Sequence, residues 1–212
     1  MENSGYNKNN PIKNYQKNTM KKKNLQLFTL STLISLAFFI MPIIYIMPRI
    51  VMMAAQYKLT DTDTVTNEGK APLNSISHTH RFPTGKDKII VRLNTDTFYS
   101  SGWFDLSEQP FIVHVPKTDG RYYSLQFNDT WTNAYAYIGK RATGSNEGYY
   151  AIVGPNWEGE LPVGISKIKS PTNLTWVIGR TMYLGKNDIQ NVIHLQKQIT
   201  LTPLSKHIAK AE

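Results

Sequence analysis

From Leu25 to Met47, "LQLFTLSTLISLAFFIMPIIYIM", 23 residues pass without one charged side chain. At about 1.5 Å per residue, a helix over this run reaches roughly 35 Å, enough to cross a hydrocarbon core of about 30 Å. It is read as a single transmembrane helix. Lys21, Lys22 and Lys23 precede it and Arg49 follows it. The positive-inside rule then keeps the N-terminus cytoplasmic and sends the rest of the chain across the membrane. Pro42 and Pro48 predict an irregular span, and Gln26, Thr29, Ser31, Thr32 and Ser35 make its first half the more polar one.

Two other uses of such a run compete with the anchor. A signal peptide starting at Met20 has a fitting basic start, "MKKKN", but signal cores take about 7 to 15 apolar residues. Met53 in "MMAAQ" also stands where cleavage requires a small side chain. A buried helix of a soluble domain is the second rival. The uncleaved anchor is preferred, and translation from Met1 and from Met20 both fit the sequence. Residues 1–20 are rich in Asn and Lys and poor in apolar side chains, so they cannot offset the entropy of ordering. The organisation expected is a disordered basic tail over 1–23, an anchor over 24–50, a linker over 51–70, a β domain over 71–205 and a short tail over 206–212.

The formal charge of +9 is unevenly spread: six lysines and one glutamate before residue 24 contribute +5. A basic tail beside a membrane segment accounts for that imbalance. No helix-turn-helix, zinc-finger or aromatic ribonucleoprotein motif accompanies it, so no nucleic-acid partner is expected. Cysteine is absent, which removes disulfides, thiolate metal sites and cysteine nucleophiles from consideration.

After residue 70 the pattern changes to strand-like runs: "KIIVRL", "TFYSSGWFDL", "PFIVHVP", "RYYSLQFND", "NAYAYIG", "GYYAIVG" and "LTWVIGRTMYL". Pro, Gly, Asn and Asp between them supply turn geometry, and 11% aromatic residues suit pleated surfaces. Six or more such runs, about ten residues apart, predict a mainly β domain, an antiparallel β-sandwich. "FIVHVP" is apolar on both faces, as an interior strand is, whereas "GRYYSLQF" alternates as a half-exposed one does. "NDIQNVIHLQKQI" switches to helical spacing and predicts a short C-terminal helix with Asp188 near its start.

Five blocks, "NTDTFYSSGWFDLS", "GRYYSLQFNDTWTNAYAYIGKRATG", "YAIVGPNWEGELP", "SPTNLTWVIGRT" and "LTPLS", together resemble the bacterial family called domain of unknown function 1254 over about residues 70–204. The resemblance implies a jelly-roll-like sandwich in a periplasmic setting, often joined to a second sandwich, domain of unknown function 1214. The sequence, ending at Glu212, is similar to short membrane-anchored members whose companion domain is expected on a separate chain. A companion protein or a second copy is therefore the expected partner, with the helix around Ile189 to Ile199 near the contact.

The family name leaves the reaction open, so the chemistry rests on residues. Asp96, Asp105 and Asp129 offer acid/base chemistry if folding brings two carboxylates within about 5 to 9 Å. The competing reading has each ordering its own turn. No G-x-S-x-G is present, since "GSNEG" has its serine one place early. His78 and His80 in "SHTH", with His114 or a carboxylate, would be needed for a metal, but two histidines do not make a site. No metal or cofactor is expected. Aromatic and arginine side chains near strand ends, Tyr99, Trp131, Arg141 and Arg180, are types enriched in binding hot spots. With Asn94, Asp96, Asp105 and Asp129 they form the candidate pocket set. Arg141 or Arg180 pairing with Asp129 or Asp105 would instead be a turn lock. The reading favours a membrane-anchored binding or assembly module, with an undefined hydrolase or lyase as the alternative.

Overall fold

The computed structural model describes residues 11–81 and 94–211. The chain divides into two compact units, residues 1–47 and 48–212. The helix α1 covers Pro11–Thr60. Proline suits a helix start, where its missing N–H is not needed. In the apolar run the side chains lie open, Phe38 being 74% and Phe39 68% exposed. Three of its hydroxyls are satisfied within the helix: Thr29 donates to the carbonyl of Gln26 at 2.9 Å, and Ser31 and Thr32 donate to that of Phe28 at 2.9 and 2.8 Å. By length and composition this helix can cross a membrane.

The helix also takes in residues 11–23, whose composition predicts disorder, and continues through "VMMAAQY" to Thr60. Once an apolar helix is nucleated, each added residue gains a hydrogen bond while fixing only its own dihedrals. The second unit holds the end of α1, where Met52 is only 4% exposed.

Nine strands follow among the described residues: β1 Ser75–His78, β2 Thr97–Asp105, β3 Phe111–Val115, β4 Tyr123–Asn128, β5 Ala134–Gly139, β6 Gly148–Val153, β7 Ile165–Lys169, β8 Leu174–Met182 and β9 Thr200–Pro203. Helix α2, Ile189–Gln198, lies between β8 and β9, and α3, Leu204–Ala211, follows β9. One sheet has the order β1-β2-β8-β4-β5 and the other β7-β6-β3-β9. The expected run "KIIVRL" falls outside the described residues.

The first sheet is antiparallel throughout, but β6 and β7 pair in parallel, so the second sheet is mixed rather than antiparallel. Residues 154–164 separate these two strands, a connection long enough to carry the chain back to the same end of the sheet. Strand β3 is interior, between β6 and β9, as its two apolar faces require. One buried cluster draws on both sheets, with Phe104, Leu125, Phe127 and Val177 from the first and Phe111, Val113 and Ile152 from the second. Alternation along each strand places these residues on one face.

At one end of the first sheet, a buried polar network ties strands to α2. His78 Nδ1 and the Ser100 hydroxyl share a hydrogen bond at 2.8 Å. The fully buried Gln196 donates from Nε2 to the Tyr99 carbonyl at 3.2 Å and to Ser100 Oγ at 3.3 Å. Burial first, then neighbouring His80, pushes the pKa of His78 from 6.5 to about 4, against the pull of the Ile199 backbone. His78 is thus neutral in the folded protein. Between these two values the unfolded chain holds a proton that the folded chain refuses, so stability is complete above about pH 6.5 and falls as pH drops toward 4. The expected slope, read from denaturant unfolding across that window, is about 1.4 kcal/mol per pH unit. In His78→Gln most of that slope should vanish; an unchanged slope would contradict the assignment.

Candidate functional site

On the first sheet, the face opposite the core carries rows of side chains set by register. Tyr99 of β2 pairs with Arg180 of β8, which pairs with Ser124 of β4, which pairs with Gly139 of β5. The Arg180 guanidinium lies over the Tyr99 ring, 5.6 Å from its centre. The Tyr99 hydroxyl accepts from the Asn94 N–H at 3.1 Å, and Asn94 Oδ1 accepts from the Asp96 N–H at 2.6 Å. Asn94, Asp96, Tyr99 and Arg180 therefore form one connected group.

Arg141 stands beside this row. Its guanidinium lies 5.8 Å from the centre of the Tyr122 ring. It lines a cavity of about 310 Å³ with Tyr122, Ser124 and Tyr137, and Ser124 is the cross-strand partner of Arg180. Stacking on an aromatic face orients a guanidinium and leaves its in-plane N–H groups available. Among the described residues, neither Arg141 nor Arg180 has a carboxylate within ion-pair distance.

This corrects the expected turn lock. Asp129, 4% exposed, is occupied by its own turn: Oδ1 accepts from the N–H groups of Trp131 and Asn133 at 2.8 and 2.9 Å, and Oδ2 from the Asn133 amide at 3.0 Å. Asp105 Oδ1 accepts from the N–H and hydroxyl of Ser107 at 3.0 and 2.6 Å. The lock is instead Arg121 with Asp188, a bidentate pair at 2.5 and 2.7 Å joining the start of β4 to the start of α2. Arg121 also donates to the Met182 carbonyl at 2.7 Å. The Arg121 hydrogen bonds lead in holding the Asp188 carboxyl down to about 2, with the Leu184 N–H and the Asn191 amide adding to them. Nothing local in the sequence announces this pair; 67 residues separate its members.

The three aspartates do not surround a common cavity. Asp96 precedes β2 and Asp105 ends it, so nine strand residues separate them along the sheet, roughly 30 Å at about 3.3 Å per residue. Asp105 and Asp129 share one end of the sheet, with β8 between their strands, but the turns take up both oxygens of Asp129 and Oδ1 of Asp105. Trp131 lies at that same end, under the Arg49 guanidinium at 5.7 Å.

His78 stands out in the sequence as a candidate metal ligand, but its pairing with Ser100, 22 residues away, has no local signal. The pair's separation suits a nucleophile and base, but Ser100 is 1% exposed on the core side of β2, out of a substrate's reach. His114 has both ring nitrogens engaged, Nδ1 with the Gln198 carbonyl at 3.0 Å and Nε2 with Glu147 at 2.8 Å. Neither is free to take a proton from a substrate. Among the described residues, no three of His, Cys, Asp and Glu are grouped to hold a metal ion.

Residues 73–203 match the model of the family described as "Protein of unknown function (DUF1254)". The chain is similar to the VPA0106 protein from Vibrio parahaemolyticus, with 25% identity and a TM-score of 0.64, over 79% of this chain and 38% of that one. An uncharacterized protein from Burkholderia cenocepacia aligns over 62% of this chain and 34% of its own, at 8% identity and a TM-score of 0.40. No curated protein matches.

The two arginine environments predict opposite outcomes. Arg121→Ala strands the Asp188 carboxylate, whose side chain is 12% exposed, and should cost about 3 kcal/mol in denaturant unfolding. Arg141→Ala, at an exposed position, should change stability by less than about 0.5 kcal/mol.

Proposed function

The chain belongs to the DUF1254 family, whose description leaves its activity open, and we propose that it acts as a membrane-anchored binding or assembly module. In this reading α1 is the uncleaved anchor, the N-terminus is cytoplasmic and the two sheets form a jelly-roll-like sandwich on the periplasmic side. The lysines before the apolar run and the core cluster drawn from both sheets support it. The partner is a companion domain of the DUF1214 type or a second copy of the chain. The chain spans 38% of the length of the Vibrio relative.

The observation that carries the reading is the pair of stacked arginines. Arg141 on Tyr122 lines a cavity with an open tyrosine, Tyr137, which is 50% exposed, and Arg180 on Tyr99 is the cross-strand partner of Ser124 in that lining. Arginine and tyrosine of this kind anchor interfaces, because an oriented guanidinium loses little entropy when it meets an acidic or carbonyl-rich partner. The alternative, a hydrolase or lyase working through Asp96, Asp105 and Asp129, has no convergent carboxylates to support it.

The test uses the full chain in detergent, with its mass measured alone and with a DUF1214 protein from the same source. A complex or a dimer is expected, and in Arg141→Ala/Arg180→Ala the affinity should fall at least about tenfold, one hot-spot residue alone being worth about that much. A monomer that ignores the companion would defeat the reading. The topology has its own measurement: protease added outside spheroplasts should digest the part after Arg49 and spare the lysine-rich tail, and a protected β domain would reverse the orientation.

A further inference from the structure

We propose that the outer face of the four-stranded sheet carries a binding site for a small organic oxyanion, formed by Thr200, Thr202, His207, Lys210 and Tyr149. The site is separate from the arginine face and does not depend on it.

Strand register assembles the floor. Ile112 and His114 of β3 point away from the core residues Phe111, Val113 and Val115, and they pair with Thr202 and Thr200 of β9. On the other side His114 pairs with Tyr149 of β6. These side chains, with His207 and Lys210 of α3, line a cavity of about 280 Å³. His207 and Lys210 are three residues apart and so share one face of the helix.

The helix bearing them is fixed in place. Leu204, 8% exposed, joins Ile112, Ala151 and Val153 in an apolar cluster on this same face of the sheet. Its N–H donates to the Pro110 carbonyl at 2.9 Å, and the Ser205 N–H donates to Gln109 Oε1 at 3.0 Å. A cavity walled by paired strands and a docked helix is formed before any ligand arrives, which lowers the entropy cost of binding.

The chemistry of the lining selects the ligand. Glu147 is the acidic group at this site, and it is engaged by His114 at 2.8 Å and by the Tyr149 hydroxyl at 3.4 Å. The His114 ring, with both nitrogens engaged, forms a wall against Tyr149, their centres 4.7 Å apart. Tyr149 is flanked on another side by the His207 ring at 5.6 Å. What remains to meet a ligand is the Lys210 ammonium, the His207 imidazole and two threonine hydroxyls. Among the described residues no carboxylate pairs with Lys210 or His207. The Lys210 ammonium, the His207 ring N–H and two hydroxyls around a compact space suit a phosphate monoester or a carboxylate, and charge-assisted hydrogen bonds supply the affinity. Ile112 and the Tyr149 ring offer an apolar surface to the body carrying that group.

Calorimetric titration of the full chain in detergent at fixed ionic strength tests this, with inorganic phosphate, phenyl phosphate and benzoate as probes. Saturable binding of phenyl phosphate is expected, tighter than that of inorganic phosphate, and benzoate tells phosphate preference from a general liking for oxyanions. Lys210→Met and His207→Gln should each weaken it by about tenfold. Lys206→Met, on the same helix but outside the cavity lining, should leave it unchanged. No saturable heat with any probe overturns the proposal. Equal weakening by Lys206→Met and Lys210→Met also overturns it, because that result means diffuse attraction to a basic helix.

Discussion

Strand β8 is the element on which the larger sheet depends. It pairs over nine residues with β2 on one side and over six with β4 on the other, so it alone joins β1 and β2 to β4 and β5. Close packing at its centre requires Gly179: a Cβ there would meet Ser100 Cβ at 2.8 Å and Leu125 Cδ2 at 2.9 Å. From this strand Val177 enters the core while Trp176, on the opposite face, stacks on Trp103 with centres 5.3 Å apart. Arg180 reaches Tyr99 and pairs with Ser124, which lines the Arg141 cavity, because the same register runs to the end of the strand. Core, stack and candidate interface are three outcomes of one set of backbone pairings.

The protein keeps its charges for its surfaces and its turns. Asp105 and Asp129 close turns, Asp188 ties α2 to β4 through Arg121, and the interior polar network around His78 is neutral. On the arginine face and in the cationic groove, Arg141, Arg180 and Lys210 meet no carboxylate within ion-pair distance among the described residues. That division also explains why the aspartates of the family blocks read as chemistry in the sequence and as architecture in the fold. A carboxylate beside backbone N–H groups is already satisfied and has little left to offer a substrate.

What the sequence made legible follows a physical rule. The six runs recognised as β2, β3, β4, β5, β6 and β8 include every interior strand of both sheets. Burial on one or both faces forces their apolar alternation. The three strands it did not reveal, "SISH", "ISKIK" and "TLTP", are all edge strands. These three edges are short and largely polar, which keeps them from recruiting other chains and leaves little pattern to read, whereas the remaining edge, β5, keeps an aromatic alternation. The site residues were legible by type alone. Tyr99 and Arg180 were singled out, but their pairing is a matter of register between distant strands, and the alternative of an arginine turn lock fails at Asp129, whose oxygens serve its own turn.

The same pairings set the order in which the fold can be made. Tyr99 meets Arg180, and Phe111 meets Pro203, so each sheet joins segments roughly eighty to ninety positions apart. Topologies dominated by such distant contacts fold slowly, since the loop must close before any contact repays it. As the chain is synthesised, β2 waits for β8 and β3 waits for β9, with Phe104, Phe111 and Phe127 uncovered meanwhile. The apolar α1 emerges well before either partner exists. The helix α1 thus forms from hydrogen bonds within one segment, while the β portion exposes apolar side chains and is prone to aggregate until synthesis has passed β9.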